Sequence, residues 1–217
     1  MKQNYIPTIN ISSLVSKDLG SKESLKIIKK IEKACVEVGF FQVIGHGIDH
    51  KKIKKIVKIG EKFFKLKKKE KIKLSPNKWN KKNKNFYRGY FPSDVNGKEG
   101  LDIGDLRVSE NFSQKIKNQY IECLDLEKCF QKNSISHLSS YYDDIYLLSE
   151  LLFKSIIKLY KKDPLLSGKA FSRFKTLSTL RFNFYPIQNK PVEISKQDGV
   201  ALGLSLIHIS EPTRLTS

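Results

Sequence analysis

Residues 38–48 read Val-Gly-Phe-Phe-Gln-Val-Ile-Gly-His-Gly-Ile, a short β-prone run closed by glycine on both sides. Helical periodicity flanks it, so the chain must combine helices and strands in one α+β fold. Upstream, residues 6–12 alternate apolar and polar after Pro7, as a half-buried strand does. Ser21 then caps a helix with Leu25, Ile28, Ile31, Cys35 and Val38 on its apolar face, and Gly39 ends it. Downstream, a helix is expected from about Asp49 to Leu74, with Ile53, Ile56, Val57, Phe63, Phe64 and Ile72 as its buried stripe. Residues 75–85 read as a polar loop, and residues 86–103 as irregular chain with one or two short strands. A long helix is expected over 134–162, carried by Tyr141, Ile145, Leu148, Leu152, Ile156 and Leu159 and stopped by Asp163-Pro164. Residues 176–185 form a last strand, ended by Pro186.

The formal net charge of +19 raises the question of a polyanionic partner. Of 41 basic residues only Arg88, Arg107, Arg173, Arg181 and Arg214 carry the planar fork that nucleic-acid sites favour; the rest are lysines. A lysine-rich solvated surface is the simpler account, and nucleic acid ranks low as a partner. No apolar stretch approaches the ~20 residues that span a bilayer, and the first residues lack a signal-peptide pattern, so a cytoplasmic protein is expected. Cys35, Cys123 and Cys129 lack metal-type pairing and read as structural or incidental thiols, with Cys35 on the apolar face of its helix.

The order of these elements, and the residues at their joints, resemble the N-terminal region of the isopenicillin N synthase-like, 2-oxoglutarate- and Fe(II)-dependent dioxygenases. The pieces that carry the likeness are Ile6-Pro7-Thr8-Ile9-Asn10-Ile11, residues 38–48, Arg88-Gly89-Tyr90-Phe91-Pro92, residues 98–104, and Arg181-Phe182-Asn183-Phe184-Tyr185-Pro186. The resemblance implies a helical N-terminal module followed by a double-stranded β-helix (jelly-roll) core, here incomplete. It implies a small-molecule oxidoreductase in which a His-x-Asp and a distant His hold Fe(II), and 2-oxoglutarate completes the coordination. It also implies that Asn183 and Tyr185, on one face of the last strand, lie near the cosubstrate and bind it. The domains then run over 5–125 (N-terminal domain) and 126–203 (linking helix and start of the oxygenase core).

The His-x-Asp should follow soon after Gly203, yet the chain there reads His208-Ile209-Ser210. A serine hydroxyl does not replace an anionic ligand, so no residue is assigned to metal and the chain as written is expected to be inactive. Residues 204–217 resemble the translation of a sequencing adapter, and no lysine follows Lys196. This tail is therefore expected to be an artefact. A chain lacking the later strands is expected to be poorly soluble. His46, Asp49 and His50 mimic a metal triad, but Asp49 sits where a helix cap belongs and His46 at a structural turn. His137 is expected to face solvent, and the pairs Asp143/Asp144 and Asp102/Asp105 show no partner for acid–base work. Two rivals stay open: an oxidase of the isopenicillin N synthase kind that does not use 2-oxoglutarate, and a basic protein binding nucleic acid through residues 51–73.

Overall fold

The computed structural model describes residues 6–16, 18–92, 98–107, 124–159, 173 and 178–185. Strand β1 (Thr8–Asn10) pairs in parallel with β2 (Gln42–Ile44), matching Ile9 to Val43. The expected strand over 6–12 is shorter, because Asn10 Oδ1 accepts from the Ser12 amide (3.0 Å) and turns the chain into helix α1 (Ser12–Ser16). Helix α2 (Lys22–Glu37) starts at Ser21, whose hydroxyl accepts from the Ser24 amide at 3.1 Å. Its buried face is Ser24, Ile28, Ile31 and Ala34. Leu25, Cys35 and Val38 are exposed, which corrects the expected stripe and the buried Cys35. Small Ser24 lies against the backbone of α1, its hydroxyl donating to the Ser13 carbonyl at 3.3 Å.

The helix expected from Asp49 to Leu74 is broken. Helix α3 (His50–Phe64) is capped by Asp49, which accepts from the Lys51 amide at 2.8 Å. It tightens at its end through Leu66 N–H to Phe63 O, and Lys67 turns extended. Helix α4 (Lys68–Lys71) and a 3-10 turn over Ile72–Leu74 follow. Val57 is exposed, one helical step (100°) beyond Ile56, whereas Ile53, Ile56, Ile59, Phe63 and Phe64 are buried. The loop after Leu74 satisfies its backbone through asparagines: Asn80 donates to Ile72 O, and Asn83 to Lys73 O and Ser75 O.

Strands β3 (Gly89–Phe91), β4 (Glu99–Ile103) and β5 (Leu180–Phe184) form an antiparallel sheet in the order β3-β4-β5. The register sets Phe91 opposite Gly100 and Gly100 opposite Asn183; it also sets Gly89 opposite Asp102 and Asp102 opposite Arg181. Helix α5 (Lys132–Leu159) packs against α2 and α3 with Leu138, Tyr141, Tyr142, Tyr146 and Leu148 buried. Phe63 centres the core, 5.7 Å from Tyr90 and stacked 5.3 Å from Phe130. Among the described residues, no helix is long and apolar enough to cross a membrane. Cys123 and residues 186–217, with the adapter-like tail, lie outside the described residues.

Candidate active-site face of the sheet

The two faces of β3-β4-β5 differ in chemistry. One face carries Tyr90, Leu101, Ile103, Phe182 and Phe184 and packs on α3. There Phe184 stacks on Phe64 with ring centres 5.0 Å apart, and a Cβ built on Gly60 would lie 2.7 Å from Phe182 Cδ1. Strand alternation sends Phe91, Gly100, Asp102, Arg181 and Asn183 to the opposite face; Lys98 and Tyr185 flank the strands, one residue before β4 and one after β5. Lys98 Nζ lies 5.7 Å from the centre of the Tyr185 ring, and Phe91 meets Trp79 edge-on at 5.6 Å.

Asn183 is half-buried on this face, and Tyr185 is 52% exposed. Asp102, only 2% exposed, accepts from Arg181 Nε at 2.6 Å and from Nη2 at 2.5 Å. These hydrogen bonds hold the Arg181 pKa above its usual value. The partnership was not foreseen: Asp102 stands in the sequence as one of a carboxylate pair, and its partner lies 79 residues away. A signal existed in the chain, because Arg181 precedes Asn183 by two residues and so shares its face.

The other carboxylates singled out in the sequence are also engaged in ion pairs. Asp105 and Asp143 both hold Arg173, and Asp143 also pairs with Arg107. Asp144 accepts from Lys52 at 2.5 Å, tying α3 to α5. Arg173 in turn lies over the rings of Tyr142 (5.8 Å) and Tyr146 (5.2 Å). Burial, with the Asp105 charge beside it, pushes the Tyr142 hydroxyl up to about 12. These ion pairs tie elements together, and Arg107 and Asp143 also line a cavity with Lys132 and Ser136 of α5.

The strand carrying Asn183 is fixed from both sides. Arg88 is buried and donates through Nη2 to the Ser178 carbonyl at 3.0 Å, and the Tyr142 hydroxyl donates to the same oxygen at 3.0 Å. On the α3 side, buried Lys71 donates to Phe64 O (3.1 Å) and Glu99 Oε2 (2.5 Å), and Tyr90 donates to that same Oε2 at 2.6 Å. Desolvation and the Glu99 contact raise the Tyr90 pKa.

His46 is the turn residue expected, its Nδ1 accepting from the Ile48 amide at 3.1 Å. His137 departs from the solvent-facing position expected for it: it is half-buried on α5, with Nε2 shielded from water. Among the described residues, no group of three His, Cys, Asp or Glu side chains is placed to hold a metal ion, so no iron ligand is assigned to them. The Asn183 amide and the Arg181 guanidinium on this face, with the Tyr185 phenol and Lys98 ammonium beside the strand ends, are groups able to donate hydrogen bonds to a carboxylate.

The profile of the family described as non-haem dioxygenase in morphine synthesis, N-terminal, matches residues 6–133, more than half of the chain. The 2-oxoglutarate-dependent dioxygenase tropC of Talaromyces stipitatus is 38% identical over 88 residues, covering 41% of this chain and 26% of that protein. Isopenicillin N synthase of Streptomyces griseus is 28% identical over 205 residues, covering 91% of this chain and 60% of the enzyme. Homoarginine-6-hydroxylase 2-ODD-C23.2 of Arabidopsis thaliana is 36% identical over 105 residues, covering 45% of this chain and 28% of that enzyme. The chain thus spans between about a quarter and three fifths of these relatives.

Among solved structures, a 2OG-Fe(II) oxygenase family protein from Caulobacter crescentus superposes with a TM-score of 0.64 at 18% identity, over 87% of this chain and 59% of that one. The dioxygenase for auxin oxidation 1 from Arabidopsis thaliana, in its 2-oxoglutarate complex, gives 0.52 at 19% identity, over 74% and 52%. These likenesses establish the fold. By its own sequence match, the chain belongs to the non-haem dioxygenases of the isopenicillin N synthase-like, 2-oxoglutarate- and Fe(II)-dependent family.

Proposed function

We propose that the chain is the N-terminal part of an Fe(II)- and 2-oxoglutarate-dependent oxidoreductase acting on a small molecule. The observation that carries this reading is the polar face of β3-β4-β5 in a chain of this family: donors gathered on one side, an aromatic seal against α3 on the other. In this reading residues 5–125 form the N-terminal domain, and residues 126–203 form the linking helix and the start of the core.

Fe(II) with 2-oxoglutarate and oxygen supplies the oxidising power for attack on an unactivated C–H bond. The residues of this chain position and recognise. The Asn183 amide and the Tyr185 hydroxyl donate hydrogen bonds to the cosubstrate carboxylate, and Lys98 at the rim adds positive charge that draws the anion in. Arg88 and Tyr142 hold Ser178, which keeps β5 and its donors in place. The residues as written, with His208-Ile209-Ser210 where a His-x-Asp belongs, do not hold Fe(II) by themselves.

The test is succinate release from 2-oxoglutarate by the full-length product of the locus, with and without Fe(II), beside the 217-residue chain. Iron-dependent release by the full-length product and none by the chain is expected. No iron-dependent use of oxygen in the full-length product would remove the reading. The match to isopenicillin N synthase over 91% of the chain favours one rival, an oxidase without 2-oxoglutarate. Oxygen consumption that needs iron and substrate but no 2-oxoglutarate would select it.

A further inference from the structure

Near its start, α5 carries Lys132, Ser136, Ser139, Ser140 and Asp143 at helical spacing along one flank. Facing that flank is the chain that leaves β4, where the Asp105 carboxylate accepts from the Arg107 amide at 3.0 Å and turns the backbone. Between them lies a cavity of about 440 Å³, room enough for a small molecule. Leu106 and Ile135 give it a small apolar wall.

The polar walls carry net positive charge. Asp143 is engaged by two guanidiniums, Oδ1 accepting from Arg173 and Oδ2 from Arg107, and Arg173 also pairs with Asp105. Lys132 is exposed and adds a third cation against those two carboxylates. Hydroxyls supply further donors. Ser140 Oγ accepts from Lys52 Nζ at 3.0 Å, which leaves its own proton to donate elsewhere. Ser155 of the same helix turns its hydroxyl back to the Leu151 carbonyl at 2.8 Å, whereas Ser136 and Ser139 make no such bond among the described residues. Donors on both walls suit an anion with acceptors in several directions. A phosphate monoester presents three terminal oxygens and nearly two negative charges, whereas a carboxylate presents two oxygens in one plane.

We infer that the cavity between α5 and the end of β4 binds a small phosphate monoester, held by Arg107, Lys132 and the serines of α5.

The 15N-labelled 217-residue chain can be titrated with phenyl phosphate, and with phenol as the uncharged control, at fixed ionic strength. Saturable shifts of the Ser136, Ser139 and Ser140 amides with phenyl phosphate, and none with phenol, are expected. Lys132→Glu should weaken the binding about tenfold or more, because a charge-assisted donor becomes a repelling carboxylate. Lys82→Glu makes the same charge change at an exposed lysine that does not line the cavity, and should leave the affinity unchanged. S136L fills the cavity from an exposed helical position, so it serves if K132E does not fold, with the same loss expected. No saturable shift, or undiminished affinity in K132E and S136L, overturns the proposal. Equal weakening by K132E and K82E also overturns it, since the general charge of the chain would then be the cause. The titration needs neither iron nor 2-oxoglutarate, so its outcome is independent of the oxygenase reading.

Discussion

Lys71 Nζ lies 2.5 Å from Glu99 Oε2, joining α4 to the first residue of β4 inside the protein. Both side chains are largely removed from water, and Tyr90 and the Phe64 carbonyl complete their hydrogen bonding. Such a pair is costly to break from one side, because the remaining charge stays buried. Lys71→Ala should lower unfolding stability by about 3 kcal/mol. The double variant K71M/E99M should recover much of that loss, since apolar replacements of similar volume remove both charges. Urea unfolding midpoints of the two variants check the ordering.

Gly89 has φ +119, and a Cβ there would collide with the Leu74 carbonyl oxygen. Backbone cannot swing aside as a flexible side chain does. Gly89→Ala should therefore cost at least about 3 kcal/mol, combining an unfavourable dihedral with a steric clash. Thermal unfolding of G89A beside the parent, at one protein concentration, reads this directly.

Tyr142 is held neutral, with its pKa raised to about 12 against about 10 for a free tyrosine. For a raised acid the stabilisation is complete below the unfolded pKa and is lost as pH climbs through the folded one. Stability should fall between about pH 10 and pH 12, with Tyr142 contributing on the order of 2 kcal/mol. Absorbance of tyrosinate near 295 nm should show late-titrating tyrosines, one fewer in Tyr142→Phe than in the parent, with Tyr90, Tyr141 and Tyr146 still raised. A Tyr142 that titrates with the exposed tyrosines would contradict the burial described.

The proposed function has Asn183 and Tyr185 bind the cosubstrate carboxylate. In the full-length product, Asn183→Ala should raise the KM for 2-oxoglutarate about tenfold, and Tyr185→Phe by less, because the exposed phenol competes with water. Initial rates against 2-oxoglutarate concentration give both values. Unchanged KM values in both variants would return Asn183 and Tyr185 to purely structural roles.

Much of the fold could be read from the chain because its signals are local. Ser21 and Asp49 cap helices where their side chains suit capping, and the run around Val43 pairs as a strand. Boundaries moved where tertiary contacts overrode periodicity. The helix after Asp49 breaks at Lys67, and the following turn carries Lys71 inward to Glu99, a partner 28 residues away. Cys35 and Val57 look apolar in the sequence, yet the buried stripes of their helices are set by what α1, α5 and the sheet present to them. The side of the sheet on which Asn183 stands followed from strand alternation, whereas Tyr185 lies one residue past the end of β5. The grip of Asp102 on Arg181 did not follow from alternation, since it depends on strand pairing between segments that no short-range pattern connects.

The central claim is that these residues belong to an iron oxygenase whose metal ligands are encoded after Gly203. Sequencing the genomic locus downstream of the Gly203 codon tests it most directly. The account predicts a frame that continues into a His-x-Asp, a later His and an Arg-x-Ser. A natural frame that reads Leu204 to Ser217 and stops would contradict it, and a binding role without iron would take its place.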